Sequence, residues 1–151
     1  MCIRDRDIDL PLKFKTSLLA LRDTLSSEPI REKRPEEIEA IQLILDYRND
    51  LPFDTEIELL SYRAGIETNI IEDLQVNGAK VDAEGKTIEP FQERLTIDLD
   101  RQGIETILLN DLLILKINLA TQMNGDNKAS IFTTNKIEVC LSAKVKLRIQ
   151  E

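Results

Sequence analysis

The chain has 151 residues, of which 42% are hydrophobic and 32% are charged, and its formal net charge is −8 at pH 7. This composition is typical of one globular domain and excludes an intrinsically disordered chain. An acidic domain repels phosphate, which argues against nucleic acid and anionic membrane surfaces as partners. The sequence contains no histidine, which excludes Ser-His-Asp and Cys-His catalysis and histidine-containing zinc sites within these residues.

The first six residues, MCIRDR, read as the translation of an adapter DNA sequence. A transposase-adapter end used in DNA library preparation, ATG TGT ATA AGA GAC AG, encodes Met-Cys-Ile-Arg-Asp, and its last two bases lead to Ser or Arg at the next position. We therefore expect residues 1–6 to be an adapter-derived artefact and the natural protein to continue upstream. On this interpretation Cys2 is not native, so Cys140 is alone and no internal disulfide can form.

Residues 7–35 are predicted to form an N-terminal strand and a charged loop. The strand is indicated by alternating apolar residues: Ile8, Leu10, Leu12 and Phe14. Pro11 places this strand at a sheet edge. The stretch SSEPIREKRPEE combines two prolines with dense charge of both signs, which is typical of a mobile loop or linker. A β-sandwich domain is then predicted over residues 36–151.

Period-two alternation dominates the rest of the chain and predicts antiparallel strands with one buried face. Strands of this kind are expected within residues 41–47, 57–59, 70–76, 91–99 and 113–119, with a short one at 131–133. In the last and longest strand, the odd-numbered residues of 137–149 are apolar and the even-numbered ones are polar. The odd face should therefore be buried, and Cys140, on the even face, should be a surface thiol without a role.

One short helix interrupts the strands, which are separated by turn signals such as NDLPFD and DAEGK. Asp100 can cap a helix over residues 101–110, where Ile104, Ile107 and Leu108 fall on one face. About seven strands at this spacing predict an all-β fold, an immunoglobulin-like antiparallel β-sandwich with one short helix near 101–110. No stretch is apolar for long enough to be a transmembrane segment.

Oxygen-bearing side chains at two predicted turns define a candidate calcium site. Asp98 and Asp100 share a strand face, and a second loop offers Asn124, Asp126 and Asn127. Neither segment has the spacing of a known calcium loop, and turn formation or helix capping explains the same residues. No catalytic residue and no cofactor is predicted.

Two other groups of residues allow alternative interpretations. Four aromatic residues could form a sugar-stacking platform, or could anchor the core and loops in a chain with 4% aromatic residues and no tryptophan: Tyr47, Phe53, Tyr62 and Phe91. Carboxylate pairs could serve a glycosidase, although a chain with 28 acidic residues contains such pairs by chance: Glu56 with Glu58, and Glu36 with Glu37.

Several strand and turn motifs carry a family resemblance: IQLILDYRNDLPFD, AKVDAEGKTIEP, LTIDLD, LKINLAT and AKVKLRI. In the first motif, Asn49 and Pro52-Phe53-Asp54 match an Asn-x-Phe/Leu-Pro-Leu/Phe-Asp turn. Over residues 38–149 the chain resembles the C-terminal β-sandwich module of uncharacterised Bacteroidetes-type envelope proteins and lipoproteins. It is more distantly similar to the immunoglobulin-like sandwiches of late-embryogenesis-abundant and water-stress proteins.

The resemblance implies a secreted or lipid-anchored module of the cell envelope and supplies no catalytic residue. We therefore expect a non-catalytic structural or interaction module of a bacterial cell-envelope protein, with a protein or glycan partner at the cell surface. The alternative is a ligand-binding β-sandwich for a glycan, a lipid or calcium.

Overall fold

The computed structural model describes residues 2–4, 13–14, 19–25, 34–121, 129–130 and 135–148. These residues form two four-stranded antiparallel sheets, two short ribbons, a 3₁₀ turn at Pro35–Glu37 and a helix, α1, at Arg101–Leu108. The strands are β1 Cys2–Arg4, β2 Lys13–Phe14, β3 Leu19–Leu25, β4 Ile38–Asn49, β5 Phe53–Arg63, β6 Ile66–Val76, β7 Lys80–Val81, β8 Thr87–Glu89, β9 Phe91–Asp98, β10 Leu112–Thr121, β11 Ala129–Ser130 and β12 Ile137–Leu147. The predicted all-β sandwich with one short helix is confirmed.

The first sheet has the strand order β1-β12-β4-β9, and the second has the order β3-β10-β5-β6. In the first sheet, β4 pairs with β12 on one side and with β9 on the other. In the second sheet, β10 pairs with β5 from Leu112 opposite Tyr62 to Thr121 opposite Phe53. The short strands form the ribbons β2–β11 and β7–β8. Strands that are distant in sequence are therefore neighbours in both sheets.

The core lies between the two sheets and is built from alternate residues of the central strands. Ten of these side chains are at most 6% exposed: Ile41, Leu43, Leu45 and Tyr47 of β4, Ile57 and Leu59 of β5, and Leu113, Leu115, Ile117 and Leu119 of β10. Burying one such side chain contributes about 1.5–3 kcal/mol. On the outer face of the second sheet, Leu60 and Ile114 lie opposite each other and are also buried, so this face is not polar throughout.

The burial of β12 decreases along the strand. Ile137 and Val139 are each 2% exposed, Leu141 and Val145 are half-buried, and Ala143 and Leu147 are exposed. The predicted burial of the odd-numbered face is therefore confirmed at the start of the strand and wrong at Ala143 and Leu147, while Ile149 lies outside the described residues. Alternation fixes which way a side chain points, whereas burial also needs an opposing element.

The helix α1 begins where the sequence predicts and ends at Leu108 instead of residue 110. The side chain of Asp100 accepts a hydrogen bond from the backbone N–H of Gly103 at 2.7 Å and caps the helix. Ile104, Ile107 and Leu108 are buried against the core, as their spacing predicts.

The outer strands β3 and β6 of the second sheet differ from the sequence interpretation. β3 was not predicted, because Asp23 occupies a position opposite Leu115 that an apolar residue would normally take. An inward-pointing charge of this kind protects an edge strand from pairing with other chains. β6 contains a bulge at which Asp73 has a φ of 51°, so the edge of the second sheet bends there.

Some of the predicted strands and boundaries cannot be compared with the structure. The predicted strand at residues 131–133 and most of the one at residues 8–14 lie outside the described residues, although Lys13–Phe14 form β2. The proposed boundaries at residues 6 and 35 stay predictions, because a position in the fold does not test the origin of a segment. Within the ranges given above, no helix is long and apolar enough to cross a membrane.

Candidate functional site

The candidate calcium ligands have structural partners where the structure describes them. Asp98 accepts a hydrogen bond from Gln42 Nε2 at 2.7 Å, and Asp100 caps α1. The other three candidates, Asn124, Asp126 and Asn127, lie outside the described residues. In the part of the chain that is described, no group of three or more acidic or cysteine side chains is placed to hold a metal ion. The calcium site stays a prediction.

A buried amide holds the turn between β4 and β5, which we call the Asn49 turn (residues 49–54). Asn49 is fully buried, its Oδ1 accepts the N–H of Leu51, and its Nδ2 donates to the carbonyl of Phe53, both at 2.8 Å. Each polar atom of this side chain therefore has a partner where water cannot reach it, as a buried amide requires. This turn is thus built around its asparagine.

The segment that follows β6 closes over the Asn49 turn. The N–H of Gly78 donates to Asp54 Oδ1 at 2.9 Å, and the N–H of Ala79 donates to the carbonyl of Leu51 at 3.0 Å. A Cβ atom at position 78 would lie 2.6 Å from the backbone oxygen of Phe53. Only glycine permits this close approach.

Further hydrogen bonds tie distant segments to the same turn. The carbonyl of Asp50 accepts bonds from Thr87 Oγ1 and from Asn135 Nδ2, both at 2.9 Å. The hydroxyl groups of Tyr47 and Thr55 share a bond of 2.6 Å in the core, and burial raises the pKa of Tyr47. Side chains and backbone of several strands thus meet at one end of the sandwich and fix its geometry.

The aromatic residues act mainly as core anchors. Tyr47 and Phe53 are buried, and the ring of Phe91 lies tilted against that of Tyr47 with 6.5 Å between centroids. Tyr62 is half-buried on the outer face of the second sheet. The interpretation as core anchors is confirmed for Tyr47 and Phe53, whose buried rings cannot offer a sugar-stacking surface.

The carboxylate pair on β5 is held by neighbouring strands. Lys116 Nζ lies 3.0 and 3.1 Å from the two carboxylate oxygens of Glu58, and Asn118 Nδ2 donates to Glu58 at 3.0 Å and to Glu56 at 3.1 Å. Gln75 Nε2 donates to the other oxygen of Glu56 at 2.8 Å. These groups form a ladder of cross-strand bonds over the second sheet. Cross-strand pairs of this kind stabilise sheets.

The second predicted pair has a local role. The Oε2 of Glu37 accepts the N–H of Arg34 at 3.2 Å, which closes the 3₁₀ turn that leads into β4.

On the outer face of the first sheet, Arg94 forms a two-pronged ion pair with Asp46 at 2.6 and 3.0 Å. This hydrogen bond lowers the pKa of Asp46, but the pair is exposed and screened by solvent.

An apolar cleft of about 160 Å³ opens between the sheets beside β3 and β12. Five apolar side chains line it: Leu21, Leu115, Ile117, Ile137 and Val139. Arg22 and Asp23 of β3 also border the cleft and give it one charge of each sign. This cleft was not predicted from the sequence. The alternation of Leu19, Leu21 and Leu25 with Arg22 and Thr24 was the available signal for β3.

Cys140 is disulfide-bonded, so the prediction of a free surface thiol and of no internal disulfide is wrong. The chain's other cysteine, Cys2, lies opposite Cys140 in the register of β1 and β12. Residues directly opposite each other in antiparallel strands have Cα atoms about 4.5–5.5 Å apart, which is within the range for disulfides. The prediction is wrong because it excludes residues 1–6 from the fold, whereas β1 pairs with β12.

Comparisons with known proteins identify no family for this chain. No family model and no curated protein matches the sequence. Among solved structures, the chain is similar to one in "Structure of infectious bursal disease virus Gx strain", with a TM-score of 0.45, 6% sequence identity and 95% of this chain covered. The match spans 30% of that viral chain.

Proposed function

We propose that this domain is a non-catalytic structural or interaction module of a bacterial cell-envelope protein. The observation that carries the proposal is the Asn49 turn, where buried polar groups bind one another and hold several strands in one arrangement. A satisfied buried network gives a rigid, specific geometry. Such rigidity suits a domain that presents surfaces to partners, and the same turn carries the resemblance to envelope modules.

The location can be tested on the natural gene. Sequencing upstream of the codon for Asp7 should reveal a signal peptide with a lipobox cysteine, and the product should fractionate with an envelope marker. A cytosolic marker in the same fractions provides the control. A start codon with no export signal, together with a product in the cytosolic fraction, would contradict the proposal.

A second candidate function is the binding of a small apolar group, such as part of a lipid, in the cleft between the sheets. The cleft volume of about 160 Å³ is close to that of a dry protein cavity, roughly 150 Å³, that admits benzene. In an NMR titration, benzene should shift the backbone signals of Leu115 and Val139. Ile117→Phe should abolish these shifts by filling the cleft, whereas Ile44→Phe, on the other face of β4, should keep them.

Calcium binding is another form of the ligand-binding alternative, and we expect no calcium binding. Asp98 and Asp100 already accept hydrogen bonds from Gln42 and Gly103. A ligand that binds only the folded state raises the melting temperature. The melting temperature should therefore not change in millimolar calcium or with a chelator. A rise of several degrees that Asp126→Ala abolishes would instead establish the calcium site.

A further inference from the structure

The backbone groups on the side of β12 that faces away from β4 are identified by the bonds that β12 makes to β4. The N–H of Asp50 donates to the carbonyl of Lys136 at 2.9 Å, and β12 continues this pairing with Val145 opposite Ile41. Since antiparallel strands exchange bonds at every second pair, the even-numbered residues of β12 bond to β4. The N–H and C=O groups of Ala143 and Val145 therefore point away from β4.

A strand already occupies the start of this edge. β1 pairs with residues 138–140 in antiparallel orientation, with Ile3 opposite Val139. Beyond Cys140, no other described strand pairs with β12 on this side. The position of β1 indicates that the edge can accept an extended segment through main-chain hydrogen bonds.

The exposed part of β12 is apolar on one face and basic on the other. Ala143, Val145 and Leu147 lie on the same face of β12 as the buried Val139. Ala143 and Leu147 are exposed, and Val145 is half-buried. Three exposed basic residues follow the opposite face: Lys144, Lys146 and Arg148. Lys146 already forms an exposed ion pair with Glu39 at 2.6 Å. The row nevertheless presents an excess of positive charge on a chain with a net charge of −8.

We propose that residues 143–147 of β12 accept an extended acidic segment of a partner protein as an added antiparallel strand. The inference rests on the proposed interaction role and names its surface and partner. Acidic side chains of the added strand would lie beside Lys144 and Lys146, where opposite charges are favourable, and apolar ones would cover Val145 and Leu147. A second copy of this chain is disfavoured, because it would place the same lysines against each other.

The binding of labelled peptides to the full chain, measured by fluorescence anisotropy, tests the proposal. The probes are an alternating Glu-Val heptapeptide, its Lys-Val counterpart, and the Glu-Val peptide with alternate backbone nitrogens methylated. The acidic peptide should bind at least about tenfold more tightly than the basic one at low salt, and methylation should abolish binding. Equal binding of the acidic and basic peptides would overturn the proposal. So would binding that survives methylation, whichever alternate set of backbone nitrogens carries the methyl groups.

Variants locate the binding to the edge. Val145→Pro removes an outward N–H without removing a bond to β4, and should abolish binding. Lys144→Glu should weaken the binding of the acidic peptide. Arg63→Glu, which makes the same charge change on the other sheet, should leave this binding unchanged. If Val145→Pro does not fold, the methylated peptide still decides the outcome on the unaltered chain. A peptide that fails to bind overturns the strand-addition proposal alone, whereas cytosolic location overturns the proposed function whatever the peptides do.

Discussion

Replacing Asn49 with alanine removes two hydrogen bonds from the interior of the Asn49 turn. The side chain is fully buried, and its bonds to Leu51 and Phe53 are both 2.8 Å long. A buried group that loses its partner destabilises the folded state by about 1–3 kcal/mol, because water cannot replace the bond. We therefore expect Asn49→Ala to lower the free energy of unfolding by about 2–4 kcal/mol, a large share of the roughly 5–15 kcal/mol of a typical domain.

Urea denaturation followed by circular dichroism measures this loss, provided that the slope of the transition is unchanged. Asn118→Ala is the matched control, because Asn118 bonds Glu56 and Glu58 on a half-exposed face where water can take its place. The control should lose less than about 1 kcal/mol. Equal losses in the two variants would refute the idea that the buried amide holds the turn.

Three other expectations can be checked on the same material. Gly78→Ala should lower the melting temperature more than Gly103→Ala, because the new Cβ would lie 2.6 Å from a backbone oxygen at position 78 but 3.2 Å from a side-chain oxygen at position 103; a similar melting temperature for both would contradict this. Burial raises the pKa of Tyr47, so the stability that this neutral phenol contributes is present below about pH 10 and is lost as the pH rises above that value. In a Tyr62→Phe background, phenolate absorbance should appear only as the circular dichroism signal of the fold disappears, and phenolate in the folded protein would count against burial. Finally, reductant should lower the melting temperature, and Cys140→Ser should melt like the reduced chain, because a cross-link over a long loop stabilises by about 4–5 kcal/mol; identical melting with and without reductant would contradict the disulfide.

Local signals in the sequence account for most of what was predicted correctly. β4 and β10 have one consistently apolar face, and each packs that face on the core. Asp100 and the helix it caps lie within a few residues of each other, so their relation is visible in the sequence. The motif around Asn49 indicated a turn, but the bonds that Gly78 makes to Asp54 join segments that only the fold brings together.

Features that depend on distant segments were not predictable from the residues alone. The cleft combines Leu21, Leu115 and Val139, which belong to three strands far apart in sequence. Ala143 has the same alternation as Val139, yet it is exposed, because among the described residues no element covers that end of the strand completely. The pairing of β1 with β12, and with it the disulfide at Cys140, depends on contact between opposite ends of the sequence.

The place of β4 between β9 and β12 affects how the domain can be assembled during translation. β4 can pair with β9 soon after both leave the ribosome, but β12 is synthesised tens of residues later. At roughly 5–20 residues per second, one edge of β4 stays without its final neighbour for several seconds. During that interval the backbone N–H and C=O groups on that edge of β4 lack their strand partner, so a nascent chain stalled before Ile137 would expose a strand edge that can pair with other chains and aggregate.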